Sequence, residues 1–116
     1  MKISGAHVIL YSNDAEADRA FFRDVLEFPA VDAGHGWLIF KLPPAEVAMH
    51  PAESEPYAEF YLMCDDLQST IESLAARHVT CTPLEKERWG LRTSIRLPSG
   101  SRIGLYQPMH PTALDL

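Results

Sequence analysis

Two segments rich in β-forming residues are each followed by polar residues that can cap a helix. The first covers residues 6–12 and leads into Ser12-Asn13-Asp14, and the second covers residues 57–64 and leads into Asp65-Asp66. Ser, Asn and Asp side chains accept hydrogen bonds from the free N–H groups of a first helical turn. Each segment therefore predicts a strand that runs directly into a helix.

Apolar residues recur at helical spacing behind both caps, up to Pro29 in the first half and up to residues 77–79 in the second. Short apolar segments between turn residues predict the remaining strands. In the first half they lie near residues 30–32, 37–42 and 46–50, and in the second near residues 80–82, 88–97 and 102–107. Both halves thus have the element order βαβββ.

The two halves also align as an internal repeat. Residues 7–14 match residues 59–66 at an offset of 52, and residues 47–50 match residues 103–106 at an offset of 56. We expect one domain over residues 1–116, with module one at 1–52, module two at 57–108 and a tail at 109–116. The predicted fold class is α+β, with tandem βαβββ modules whose paired, curved, mixed sheets surround a cavity.

Composition narrows the class of protein. With 47% hydrophobic and 22% charged residues in 116, the chain is typical of one globular domain. A net charge of -6 disfavours nucleic acid, and no apolar stretch approaches the roughly 20 residues that span a bilayer. The first residues lack the apolar run of a signal peptide, which predicts a cytoplasmic protein with no membrane partner. Cys64 and Cys81 are too few and too far apart for a zinc site, and we expect no disulfide between them.

Alternate positions of the predicted strands differ in character. The more apolar set should face the helices: Val8, Leu10, Leu38, Phe40, Val47, Met49, Phe60, Leu62, Cys64, Ile103 and Leu105. The other set carries His, Tyr, Trp and Glu, including His7, Glu46 and Glu59, where a solvated sheet would favour Lys, Thr and Ser. A ligand cavity explains this set better than a solvated face does. The predicted ligand-binding residues are Tyr11, Trp37, His50, Tyr61, Arg102 and Tyr106, whereas His35, His78 and His110 are expected at the surface.

The tandem modules, the sequence FFRDVL at residues 21–26 and the sequence LPSGSRIGLY at residues 97–106 resemble the vicinal oxygen chelate superfamily. This superfamily includes glyoxalases, bleomycin resistance proteins and extradiol dioxygenases, and the resemblance covers residues 5–108. It implies paired modules around a cavity and a homodimer. It leaves function open, because one scaffold hosts several chemistries.

The resemblance also places four metal-ligand positions in this chain, on the first and last strands of each module. They fall on His7 and Glu59, which can bind a divalent metal such as Zn, Ni, Mn or Fe, and on Ala48 and Gly104, which cannot. The implied metal site is therefore incomplete. As an alternative, His7 and Glu59 form a hydrogen bond without any metal.

Two functions follow as hypotheses. The first is a binding protein that sequesters a small metabolite or antibiotic, favoured by the empty ligand positions Ala48 and Gly104. The second is a metal-dependent lyase, isomerase or dioxygenase that uses His7 and Glu59, with Glu59 as the candidate catalytic residue.

Overall fold

The computed structural model describes residues 7–46 and 48–116 and contains two α-helices, six strands and a short 3-10 helix. The helices are α1 (Ala15–Asp24) and α2 (Leu67–Ala76), and the 3-10 helix is Ala113–Asp115. The strands are β1 (Ala30–Asp32), β2 (Leu38–Phe40), β3 (Tyr61–Met63), β4 (Glu85–Glu87), β5 (Gly90–Arg96) and β6 (Arg102–Pro108). None of the helices in the described ranges has the length and apolar character needed to cross a membrane.

Both predicted helix caps are confirmed. The Asp14 carboxylate accepts a hydrogen bond from the backbone N–H of Ala17 at 3.1 Å, and the Asp66 carboxylate accepts one from Ser69 at 3.2 Å. Each bond satisfies one of the free N–H groups of a first turn. Helix α1 ends at Asp24, before the predicted end, because the chain turns through a left-handed residue, Glu27, with φ of 60°.

The second half forms the predicted βαβββ unit. Its strands make a four-stranded sheet in the order β3-β6-β5-β4, in which β3 runs parallel to β6 and the other pairs are antiparallel. The strand expected at residues 80–82 contributes only an isolated bridge between Cys81 and Ile95. The edge strand lies instead at Glu85–Glu87, beyond Pro83.

The first half differs from its prediction. It forms only the hairpin of β1 and β2, and the described parts of the expected strands at residues 6–12 and 46–50 are not strands. Val8, Leu10 and Met49, which were expected to face a helix, are 50%, 41% and 84% exposed. In the described ranges no strand pairs with either segment, so nothing holds their apolar side chains inward. Ala6 and Val47, which belong to these expected strands, lie outside the described residues.

One core joins the two halves. Phe21 and Phe22 of α1 are buried in the same cluster as residues from α2, β5 and β6. The cluster consists of Phe21, Phe22, Leu67, Leu74, Ile95, Leu97, Ile103 and Leu105. Ile103 and Leu105 belong to this cluster and Phe40, Phe60, Leu62 and Cys64 pack against it, as predicted for the helix-facing set, whereas Leu38 of β2 is not among the residues packed there.

Candidate functional site

The face of the four-stranded sheet opposite α2, called the open face below, carries the polar and aromatic positions. Ile103 and Leu105 of β6 point into the core, so Arg102, Gly104 and Tyr106 share the opposite face. The strand register places neighbours beside them on the same face. Tyr61 lies opposite Gly104, Met63 and Arg92 flank Tyr106, and Glu85 lies opposite Arg92.

Three rings meet on the open face and form what we call the aromatic cluster: Tyr61, Trp89 and Tyr106. Their centroids lie 5.3, 5.5 and 6.1 Å apart and every pair is T-shaped, with interplanar angles of 80° to 88°. Edge-to-face pairs of this kind each contribute about 0.5–1.5 kcal/mol beyond the area they bury. The rings therefore stabilise one another in a fixed arrangement.

Two glycines allow the cluster to form. A Cβ on Gly90, directly after Trp89, would lie 2.3 Å from the backbone oxygen of Gln107, so only glycine permits this close approach of strands. A Cβ on Gly104 would lie 2.2 Å from Cδ1 of Tyr61, so the Tyr61 ring covers the bare backbone there. The absence of a side chain at both positions is thus part of the site.

A carboxylate from the first half closes one side of the cluster. Glu46 Oε1 accepts a hydrogen bond from the Tyr106 hydroxyl at 2.9 Å, and Oε2 accepts one from the backbone N–H of Ala113 at 2.9 Å. His110 stacks on the Tyr106 ring at 6.1 Å, with its Nε2 3.8 Å from Glu46 Oε1. The Glu46 side chain is only 17% exposed. One carboxylate thus connects the segment 41–46 after β2, strand β6 and the C-terminal tail.

These contacts fix the protonation states of the pair. The Ala113 N–H, then the Tyr106 hydroxyl and the nearby His110, lower the pKa of Glu46 and outweigh its burial. Burial first, and then the Glu46 hydrogen bond and charge, raise the pKa of Tyr106 to about 12. At neutral pH the site therefore presents an ionised carboxylate held by a neutral phenol.

Charged groups border the other side of the cluster. The Arg92 guanidinium donates to Glu87 Oε1 at 3.0 Å and to Glu85 Oε2 at 2.6 Å. Burial raises the pKa of Tyr61, and the hydrogen bond and charge of nearby Glu59 raise it further, while Arg92 opposes both. With both carboxylates engaged, Arg92 orders this edge of the face and offers little free positive charge.

The structure divides the predicted ligand-binding residues among several places. Tyr61 and Tyr106 meet in the aromatic cluster. Tyr11 and Arg102 line a separate cavity of about 200 Å³, together with Ile9, Leu10, Asp18, Leu97, Ser101 and Ile103. Trp37 is exposed and carries the Arg19 guanidinium 4.5 Å from its ring centroid, and His50 lies exposed in the segment after β2.

Sequence reasoning missed three members of the site. His110 was expected at the surface, and its side chain is 33% exposed, but the tail folds back and also places its ring on Tyr106. The sequence places Trp89 inside the predicted strand at residues 88–97, but it stands in the turn before β5, where strand alternation says nothing of its direction. The Trp89-Gly90 pair is the signal that could have found it. Glu46 belongs to the strand positions that were predicted to face the cavity, but it is not among the predicted ligand-binding residues.

The residues present do not fit the metal that the resemblance implies. His7, Ala48 and Glu59 are exposed, and the Tyr61 ring occupies the space over Gly104. Throughout residues 7–46 and 48–116, no three His, Cys, Asp or Glu side chains come together in an arrangement that could hold a metal ion. Cys64 packs against the core, and burial raises the pKa of its thiol, in agreement with a helix-facing structural role.

Solved structures of several proteins have a similar fold. TnmS3, an antibiotic binding protein from Streptomyces sp. CB03234, is 24% identical over 92% of this chain and 99% of its own, with a TM-score of 0.61. A lactoylglutathione lyase from Agrobacterium tumefaciens is 17% identical over 90% of this chain and 92% of its own, with a TM-score of 0.62. A glyoxalase/bleomycin resistance protein from Streptomyces sp. CB03234 is 24% identical over 83% of this chain and 93% of its own, with a TM-score of 0.57.

No protein-family model matches the sequence, and no curated protein matches it either. The structural likeness nevertheless defines the class of fold. The chain has the α+β fold of the glyoxalase/bleomycin-resistance proteins, which belong to the vicinal oxygen chelate superfamily. The predicted fold class and the resemblance are therefore confirmed at the level of fold.

Proposed function

We propose that this protein binds and sequesters a small metabolite or antibiotic, and that the ligand packs on the aromatic cluster of the open face. The observation that carries the proposal is the cluster itself, with the Glu46 carboxylate beside it. Ligand sites in proteins are mostly aromatic and apolar, with a few placed polar groups. A structural neighbour that is an antibiotic binding protein supports this choice among the functions that the fold hosts.

A thermal-shift screen tests the proposal. The protein is heated with bleomycin and with a panel of aromatic antibiotics, and a ligand that binds only the folded state raises the melting temperature. Tyr106→Ala should abolish the shift produced by the best compound. The control is Tyr57→Ala, because Tyr57 is 74% exposed and lies outside the cluster. A panel without any stabilising compound, or an equal shift in Tyr106→Ala, would contradict the proposal.

We further propose that the protein acts in the cytoplasm as a homodimer. A folded monomer of 13.0 kDa should expose about 6,300 Å². This chain exposes 9149 Å² and has a radius of gyration of 15.2 Å, where about 13 Å is typical of its length. The excess is about 2,800 Å² per protomer, or about 5,600 Å² for a pair, which is at the upper end of the total area that obligate homodimers bury.

The excess exposed area includes a continuous apolar stretch in a segment that has no strand partner in the described ranges. In this stretch Ile9 is 62% and Tyr11 is 89% exposed. Light scattering should give about twice 13.0 kDa at micromolar concentration. Ile9→Lys should shift the mass toward the monomer, whereas Leu84→Lys, an exposed residue beside the opposite sheet edge, should leave it unchanged. A monomeric wild-type protein would refute the dimer.

A further inference from the structure

On the open face, the Tyr61 ring packs against the bare backbone of Gly104. The two residues are register partners in the parallel pair of β3 and β6. A Cβ on Gly104 would lie 2.2 Å from Cδ1, 2.3 Å from Cε1 and 3.0 Å from Cγ of Tyr61. The ring therefore lies directly over the place where any side chain at position 104 would begin.

Position 104 requires glycine because there is no room for a side chain, and not because of its backbone conformation. Gly104 lies inside a regular strand, and among the described glycines those with positive φ are Gly34, Gly36, Gly90 and Gly100. Any residue could adopt its backbone conformation, and a glycine inside a strand normally costs about 0.5–1 kcal/mol relative to alanine. The ring contact is what offsets that cost here.

The ring cannot simply swing away. It makes T-shaped contacts with both Trp89 and Tyr106, and the Tyr61 side chain is partly buried. Displacing Tyr61 would break both ring contacts. Even the smallest side chain at position 104 would therefore disturb the packing of all three rings of the aromatic cluster.

We infer that Tyr61 and Gly104 form an exclusive pair. The Tyr61 ring occupies the space that a metal-ligand side chain at position 104 would need, so the open face packs against the rings of a ligand and does not chelate a metal. A carboxylate at position 104 and the present Tyr61 ring cannot coexist. Glu59, the other module-two position that the resemblance assigns to a metal, stands two residues before Tyr61 and is exposed. Tyr61 thus determines which kind of ligand this face accepts. The inference does not depend on the identity of the bound small molecule.

Stability measurements on four proteins test the pair: the wild type, Gly104→Ala, Tyr61→Ala and the double variant. Gly104→Ala should lower the melting temperature of the wild type by about 8 °C, because overpacking by one methyl group is costly. In the Tyr61→Ala background the same change should leave the melting temperature unchanged or raise it by a few degrees, because the ring is gone.

Tyr57→Ala is the matched control background, because Tyr57 is 74% exposed and lies outside the aromatic cluster. There Gly104→Ala should still lower the melting temperature by about 8 °C. An equal effect of Gly104→Ala in the wild-type and Tyr61→Ala backgrounds would overturn the inference. Small substitutions keep the test usable if larger ones at position 104 fail to fold.

Zinc calorimetry tests the exchange of ligand type. Tyr61→Ala/Gly104→Glu should bind zinc at least about tenfold more tightly than Tyr61→Ala alone, because the added carboxylate can then stand beside Glu59. Equal zinc affinity in these two variants would overturn the inferred exchange between ring packing and metal binding. Stoichiometric, tight zinc binding by the wild type that is lost in Glu59→Gln would overturn it as well. Neither titration uses the antibiotic panel, so this inference and the proposed function can fail separately.

Discussion

Replacing Glu46 by Gln or Ala should loosen the contact that joins the segment 41–46 after β2, strand β6 and the C-terminal tail. Hydrogen bonds to a charged acceptor contribute about 1.5–3 kcal/mol each. Because Glu46 is 17% exposed, the lower end applies to its bonds with Tyr106 and Ala113. Glu46→Ala should therefore cost about 3 kcal/mol, and Glu46→Gln, which keeps one acceptor oxygen, about 1.5 kcal/mol.

Thermal unfolding at fixed protein concentration measures these costs. For a chain of this length about 4 °C corresponds to 1 kcal/mol, so the expected shifts are about 12 °C for Glu46→Ala and about 6 °C for Glu46→Gln. A double-mutant cycle of Glu46→Gln with Tyr106→Phe isolates the hydroxyl contact and should give a coupling of about 1 kcal/mol. Glu55→Gln, at an exposed carboxylate in the segment before β3, is the control and should change the melting temperature by less than about 2 °C.

The same contact should depend on pH in a defined direction. The pKa of Glu46 is lowered in the folded protein, so its ionised form contributes stability above the ordinary carboxyl value of about 4.3. That contribution is lost as the pH falls through the lower, folded pKa. The stability difference between wild type and Glu46→Gln should therefore shrink in acid. A coupling near zero, or a difference independent of pH between neutral and strongly acidic solution, would refute this account of Glu46.

Two further predictions concern the core and the contact between α1 and the turn before β6. Leu67 is fully buried, so Leu67→Ala should cost about 2–5 kcal/mol in urea unfolding, and a cost below about 1 kcal/mol would contradict the placement of α2. The buried Asp18 carboxylate accepts from the backbone N–H and the hydroxyl of Ser99 at 3.0 and 2.8 Å, so Asp18→Ala should cost about 2–3 kcal/mol. Asp18→Ala in a Ser99→Ala background should cost less, and an undiminished cost there would show that the two side chains do not interact.

Sequence reasoning succeeded for elements that satisfy the hydrogen bonds of their own backbone. The caps at Asp14 and Asp66 and the helices behind them depend on local spacing, and the structure confirms them. The alternation of Ile103 and Leu105 with Gly104 and Tyr106 correctly assigned both faces of β6, because this strand is paired on both sides.

Sequence reasoning failed where a strand depends on a partner strand from elsewhere in the chain. Residues 7–12 and 46–50 have the composition of strands, but a strand needs a hydrogen-bonded neighbour, and composition does not say where that neighbour is. The site was only half predictable for a similar reason. Tyr61 and Tyr106 follow from strand alternation, whereas Trp89 and His110 lie in a turn and a tail, whose directions are set by long-range contacts.

Fluorescence of the two tryptophans tests the central claim most directly, because Trp89 belongs to the aromatic cluster and Trp37 lies against Arg19. The compound that stabilises the protein most is titrated into Trp37→Phe, which reports Trp89 alone, and into Trp89→Phe, which reports Trp37 alone. Binding on the aromatic cluster predicts a saturable change in the Trp89 signal and little change in the Trp37 signal. A saturable change carried by Trp37, with Trp89 unaffected, would contradict the account.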